Sequence, residues 1–240
     1  MKERGILMSA PMVLATLDGR KTQTRRIAMP RHDDRTPCAH WSGAMAEGRA
    51  AIMSRHCEHG SEGRGCPYGA PGDQLWVRET WRPWWDPEEW ACVQYQADAG
   101  VMKPDTWDEQ QGFWCESVGD ENAERDAKGM TPRWRPSIHM PRWASRLTLE
   151  VVGVRVERVQ EITEADATAE GIEMVWLQVG KYSNPVRHYR AVPDRQGGLA
   201  TAVEAFSLLW DSINAKRGYG WAENPWVWVI EFKRAKGATE

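Results

Sequence analysis

No stretch of this sequence approaches the roughly 18 consecutive apolar residues of a membrane span. Its first residues also lack the long apolar core of a secretory leader. The expectation is a cytoplasmic protein with no membrane partner, whose five cysteines stay mostly reduced. A strong basic excess is missing too: 31 Lys and Arg meet 34 Asp and Glu, for a formal net charge of -3. That balance argues against a general polyanion binder. Phenylalanine is scarce, at 3 residues, against 15 tryptophans. Each indole brings a wide flat face and one N–H donor, which suits core filling, interface anchoring or base stacking. At 240 residues the chain can bury a real core, in one large domain or two small ones.

Charge is unevenly placed. Residues 1–31 carry Lys2, Arg4, Arg20, Lys21, Arg25, Arg26 and Arg31 against Glu3 and Asp18, seven less two, or +5. Most of that excess falls in Gly19-Arg20-Lys21-Thr22-Gln23-Thr24-Arg25-Arg26. Interleaved cations and hydroxyls at the mouth of a fold suit a polar or anionic, nucleotide-like ligand; a solvated basic connector is the other reading. Ahead of the stretch, Gly5–Met8 reads as a buried strand. Ser9 then caps a helix with Pro11 in its first turn and Met12, Val13 and Leu17 on one face. Gly19 is placed to end that helix, so the basic stretch falls at a helix-to-strand junction.

From about residue 30 to 70 the pattern dissolves into a loop or insertion without periodicity. It holds Cys38, His40, His56, Cys57, His59 and Cys66. Four ligands from such a set can hold a tetrahedral zinc. The Cys38-x-His40 and Cys57-x-His59 gaps fit no standard finger, so structural zinc stands beside the alternative of unpaired thiols and solvated imidazoles. No cofactor is otherwise implied. Pro71-Gly72-Asp73 is a turn leading into a strand at Leu75-Trp76-Val77, which runs on to Glu79 and Trp81. Glu79 either pairs with a cation of the basic stretch or forms an ordinary cross-strand ion pair. Residues 82–133 read as a second, acidic and tryptophan-rich insertion in which Cys92–Tyr95 forms a strand. Arg133–Trp143 interleaves arginine and tryptophan between prolines, and serves either as a base or phosphate clamp or as a rigid connector plugging the core.

Leu147–Val159 alternates around Gly153, which marks a bulge or a tight bend in the clearest strand of the chain. A short helix follows, with Thr163 as N-cap, Glu164 and Asp166 in the first turn, Glu170 in the last turn and Gly171 ending it. A carboxylate at that end faces the negative pole of the helix, a placement useful for a general acid or base. After a third variable stretch, 174–200, a helix from about Ala202 to Asn214 carries the apolar stripe Val203, Phe206, Leu209, Trp210 and Ile213. Trp226–Phe232 is a closing strand, apolar on both faces and therefore central or covered.

The sum is an α+β chain: a small mixed barrel with helices packed on it and insertions at about 30–70, 82–133 and 174–200. The Gly19–Arg26 stretch resembles the signature of ASCH domains, relatives of the PUA fold. The Pro71-Gly72-Asp73 turn, the Ile162–Gly171 segment and Val229-Ile230-Glu231-Phe232-Lys233 are similar to later blocks of the same family, in the same order. The resemblance implies a single PUA-like domain over residues 1–240, with core blocks at about 1–29, 71–81, 134–173 and 201–236. It also implies a modified nucleoside or base as ligand, with RNA or single-stranded nucleic acid as a further partner. Compact bacterial ASCH proteins include amidohydrolases of N4-acetylcytidine, whose lysine, threonine and glutamate match Lys21, Thr24 and Glu170.

Amide hydrolysis needs a nucleophile, a proton acceptor and a group facing the oxyanion. Thr24 supplies a hydroxyl. Lys21, desolvated and crowded by arginines, is a candidate base, with Glu170 orienting it or shuttling a proton. The candidate substrate contacts are Arg20, Arg25, Arg26, Glu79, Trp81 and Arg135. A regular strand over 21–26 would point Lys21 and Thr24 to opposite faces, so this chemistry requires a break between them. The competing reading is a non-catalytic reader of RNA or modified bases, in which Arg20, Lys21, Arg25 and Arg26 contact phosphate.

Overall fold

The computed structural model describes residues 1–28, 41–46, 49–54, 64–84, 92–98, 101–102, 133–177, 186–190 and 200–235. It is mixed α+β, mostly sheet with few helices. The strands, in chain order, are β1 (Glu3–Leu7), β2 (Gln23–Ile27), β3 (Trp41–Ala46), β4 (Arg49–Ser54), β5 (Arg64–Gly65), β6 (Gln74–Arg78), β7 (Trp81–Trp84), β8 (Cys92–Tyr95), β9 (Val101–Met102), β10 (Thr148–Arg158), β11 (Glu173–Leu177), β12 (Val186–Arg190) and β13 (Trp226–Arg234). The helices are α1 (Ala10–Leu17), α2 (Glu164–Ala169) and α3 (Ala202–Asn214). Contacts divide the chain into a first unit of Met1–Lys2, Ala15–Gln74 and Glu150–Lys233, and a second of Glu3–Leu14, Leu75–Leu149 and Arg234–Glu240.

In the first unit β13 lies between β10 and β2. It buries Val227 and Val229 on one face and Trp228, Ile230 and Phe232 on the other, so both of its apolar faces are covered. It pairs antiparallel with β2, setting Val227 opposite Ile27, Val229 opposite Arg25 and Ile230 opposite Thr24. Val227 and Val229 join Val159, Ile162, Ala167 and Ile172 in a core that α3 completes with Ala202, Ala205, Phe206 and Trp210. Burying its valine, isoleucine and phenylalanine side chains contributes about 1.5–3 kcal/mol each.

Thr201 caps α3 and exchanges hydrogen bonds with Glu204, the capping box that fixes where the helix starts. Of the expected stripe, Phe206 and Trp210 are buried and Val203 and Leu209 pack against the core; only the last position departs. Phe206, Trp210 and Asn214 follow each other at four-residue steps and are buried, whereas Ile213 is 55% exposed. A polar residue thus takes the last buried place, and the Asn214 amide donates to Trp210 O at 3.3 Å. Apolar spacing alone points to Ile213 because it ignores that local hydrogen bond.

The insertions hold more order than their composition announces. β3, β4 and β5 form a three-stranded antiparallel sheet in the segment expected as a loop. Trp41–Ala46 and Arg49–Ser54 are Ala-, Ser-, Gly- and Met-rich. A ladder made by backbone groups leaves no period-two signature in such residues. β11 and β12 form an antiparallel ribbon in the third insertion. Gly153 lies inside β10 (Thr148–Arg158). A Cβ there would stand 2.7 Å from Glu231 Oε2, so glycine makes room for a neighbouring side chain.

In the second unit β1 neighbours β6, and β7, β8 and β9 form a separate three-stranded sheet. Its core is Trp81, Val93, Tyr95, Met140 and Ala144, with Trp143 against it. The Arg133–Trp143 segment supplies two short 3₁₀ turns, Ser137–His139 and Arg142–Ala144. Among the described residues, no helix is long and apolar enough to cross a membrane.

Candidate active site

The basic stretch is fastened at several backbone points within the first unit. Lys21 N–H donates to Ala15 O at 2.8 Å, Thr22 N–H to Ala169 O at 2.9 Å, and Phe232 N–H to Thr22 O at 2.8 Å. These bonds tie residues 21–22 to the last turn of α1, to the end of α2 and to β13. β2 itself starts only at Gln23. Lys21 thus stands outside the regular strand, and strand alternation does not by itself fix its side relative to Thr24.

Glu170 reaches the stretch from the other direction. Thr163 caps α2, with Asp166 returning the capping-box bond, and Glu170 occupies the C-cap. Gly171 then takes a left-handed conformation, φ +99°. A Cβ on Gly171 would lie 3.1 Å from Ala15 Cβ and 3.4 Å from Lys21 Cβ. Both the conformation and the space demand glycine. Gly171→Ala is expected to cost about 1–3 kcal/mol of folding stability, read by denaturant unfolding. A variant as stable as wild type would show that the turn relaxes without strain.

The outcome is a buried lysine–carboxylate contact. Lys21 Nζ donates to Glu170 Oε2 at 2.8 Å and to Glu170 O at 2.7 Å. Their side chains are 3% and 5% exposed. The other carboxylate oxygen, Oε1, accepts from the Arg25 guanidinium at 3.3 Å. Burial pushes the Lys21 ammonium below the ordinary lysine range; Glu170 opposes that shift, while Arg26 and Arg25 add to it. Arg26 is itself lowered by burial, against the pull of Tyr68 and Glu170. Lys21, Arg25, Arg26 and Glu170 thus share one electrostatic environment.

Behind Arg25 lies a ring of acids. Arg25 Nε donates to Glu157 Oε1 at 3.1 Å, and its terminal nitrogen lies 3.4 Å from Asp166 Oδ2. Gln23 Nε2 donates to Asp166 O at 2.9 Å and to Oδ1 at 3.1 Å. Arg155 links Asp166, Glu157 and Glu231. Asp166 is held at about 2: burial resists its charge, but hydrogen bonds from Gln23 and Thr163 and the Arg155 charge prevail. Gln23 and Arg25 thus share one face of β2, and alternation puts Thr24 and Arg26 on the other.

The structure therefore brings together Lys21, Glu170, Arg25 and, through its field, Arg26. Thr24 is 4% exposed on β2, on the face opposite Arg25. Arg20 is exposed, paired with Asp18 at 3.0 Å. Arg25, expected as a substrate contact, has a fully covered side chain held by Glu157, Asp166 and Glu170, with the Phe206 ring centre 5.8 Å away. It faces protein carboxylates rather than a ligand. Glu79, Trp81 and Arg135 belong to the second unit. Glu79 takes Arg146 at 2.9 and 3.0 Å, the ordinary ion pair of the two readings. Trp81 is 1% exposed within the core, so its ring face is covered rather than open for stacking. Arg135 lies over Trp81 at 5.2 Å and bridges its backbone.

Cys38, Cys57 and His59, the zinc candidates, lie outside the described residues, and Cys66 is half-buried. Among the described residues no group of three His, Cys, Asp or Glu stands close enough to hold a metal. The acids that sequence reasoning missed are Glu157 and Asp166. The alternation of β10, with Arg155 and Glu157 on one face, carried the only hint. No family model, curated protein or solved structure matches this chain.

Proposed function

We propose that the protein is a nucleoside- or base-directed amidohydrolase acting on an N4-acylated or otherwise modified cytidine-like substrate, built on a PUA-like barrel of the ASCH type. The observation that carries the reading is the buried Lys21–Glu170 contact at 2.8 Å, formed by two residues 149 apart in sequence. A reader of nucleic-acid phosphates needs cations turned outward. Lys21 and Arg25 are instead buried on carboxylates, which favours catalysis over phosphate binding.

In this reading Lys21, its ammonium destabilised by burial, takes the proton of the Thr24 hydroxyl as that oxygen attacks the acyl carbonyl. Arg26, on the same face of β2 as Thr24, faces the oxyanion. Lys21 returns the proton to the leaving exocyclic amine, and water then releases the acyl group from Thr24. Glu170 fixes the lysine in place throughout. The test is turnover of the purified protein on N4-acylated cytosine, cytidine and deoxycytidine, followed by release of the free amine. Product formation by wild type is expected. Its absence on all of them, together with salt-sensitive RNA or single-stranded DNA binding, would replace this reading with the reader.

A further inference from the structure

We propose that Arg25 is the positioning residue of this site. Its guanidinium, anchored on Glu157 and Asp166, grips Glu170 Oε1 and so presents Glu170 Oε2 to Lys21 Nζ. The inference rests on the hydrolase reading for its consequence in turnover, but not for its geometry.

Among the described residues, the carboxylate of Glu170 has little else to orient it. It sits at the C-cap of a six-residue helix, where the backbone presents carbonyl oxygens and a negative pole rather than N–H donors. Two cations hold it, one on each oxygen: Lys21 at 2.8 Å and Arg25 at 3.3 Å. Lys21 is the reacting group of the proposed chemistry and changes protonation during it, so the constant partner is Arg25. Arginine suits the role because it stays charged and carries several donors in a rigid fork. Here the fork spans three carboxylates, Glu157, Asp166 and Glu170, while Phe206 covers its face. With no side-chain surface exposed, Arg25 acts through Glu170 rather than on substrate.

The arrangement also sets the proton affinity of Lys21. The charged groups around that amine are Glu170 at the end of α2 and Arg25 and Arg26 on β2. Removing the Arg25 charge takes away a repulsion and leaves Glu170 to Lys21 alone. Both changes favour the ammonium, so the Lys21 midpoint moves up. A general base works unprotonated, so the acid limb of the pH–rate profile moves up with it.

The test is a lysine side-chain NMR titration of the full chain, with the Lys21 signal assigned by its loss in Lys21→Arg. In Arg25→Gln the Lys21 midpoint is expected to rise by about one pH unit, tenfold in proton affinity. Arg25→Lys retains a charge but not the fork, and a smaller rise in the same direction is expected. It serves as the deciding variant if Arg25→Gln does not fold. Glu157→Gln loosens the anchor while leaving Arg25 on Glu170, and no rise is expected. A folded Arg25 variant with an unmoved Lys21 midpoint would overturn the proposal. So would a rise in Glu157→Gln equal to that in the Arg25 variant, since it would mark general loosening. Because the readout needs no turnover, an inactive wild type sinks the hydrolase reading while the titration still decides on Arg25.

Discussion

Turnover of an N4-acylated cytidine is expected to fall by about 10³-fold or more in Thr24→Ala and in Lys21→Ala, with affinity for a non-hydrolysable analogue nearly unchanged. The two losses have different origins but meet in one step. Thr24→Ala deletes the attacking oxygen and removes little buried surface from β2. Lys21→Ala deletes the base but leaves Glu170 on Arg25 at 3.3 Å, so the acid keeps a cationic partner and the fold survives. Residues that act as a unit are non-additive. The double variant should therefore be hardly slower than the worse of the two singles. Single-turnover assays with saturating enzyme separate this chemistry from binding. Retained turnover in Thr24→Ala would remove Thr24 as nucleophile and leave an activated water in its place. Multiplicative losses in the double variant would mean that the pair does not share a step.

Lys21, Thr24 and Glu170 are candidates through the resemblance to ASCH domains, and they lie on segments whose signals are local. A capped short helix ending in Glu-Gly and a dense cationic turn after Gly19 are legible from neighbours in sequence. The strands Thr148–Arg158 and Trp226–Arg234 and the helix Ala202–Asn214 are legible for the same reason, since their apolar periods are long. What the sequence hides is partnership. Arg25 reads like Arg20 and Arg26, one more cation in a basic run. It differs only because β2 turns it toward α2 and β10, where Glu157, Asp166 and Glu170 converge from 132, 141 and 145 residues away. Glu79 is similar, its choice of Arg146 being invisible until β6 and the segment before β10 are in place. The β3–β5 sheet escaped because its side chains carry no alternation, although its backbone pairs regularly.

Glu170→Ala should be the most destabilising single change in the site, by about 3–5 kcal/mol, because it removes one partner of a buried ion pair rather than both. That is a large share of the roughly 5–15 kcal/mol that holds a domain together. Arg25 keeps Glu157 and Asp166, whereas Lys21 is left with the Glu170 backbone carbonyl as its only hydrogen-bond partner from that residue. The deficit should also depend on pH, with a definite sign. Glu170 is the group that raises the Lys21 proton affinity in the folded chain, so its loss drops the folded midpoint further below the ordinary lysine value of 10.5. Between that lowered midpoint and 10.5 the unfolded chain binds more protons than the folded one, so stability rises with pH across the window. Glu170→Ala should accordingly be weakest at low pH and recover partly as pH rises. Glu170→Gln keeps the volume and a carbonyl acceptor for Lys21 and should lose less. Urea unfolding of wild type and both variants at about pH 6 and about pH 9 measures this directly. A deficit in Glu170→Ala that is the same at both would mean that Lys21 escapes to solvent when its partner goes. The buried amine would then owe its place to Glu170 alone, and not to the walls that α1, α2 and β2 build around it.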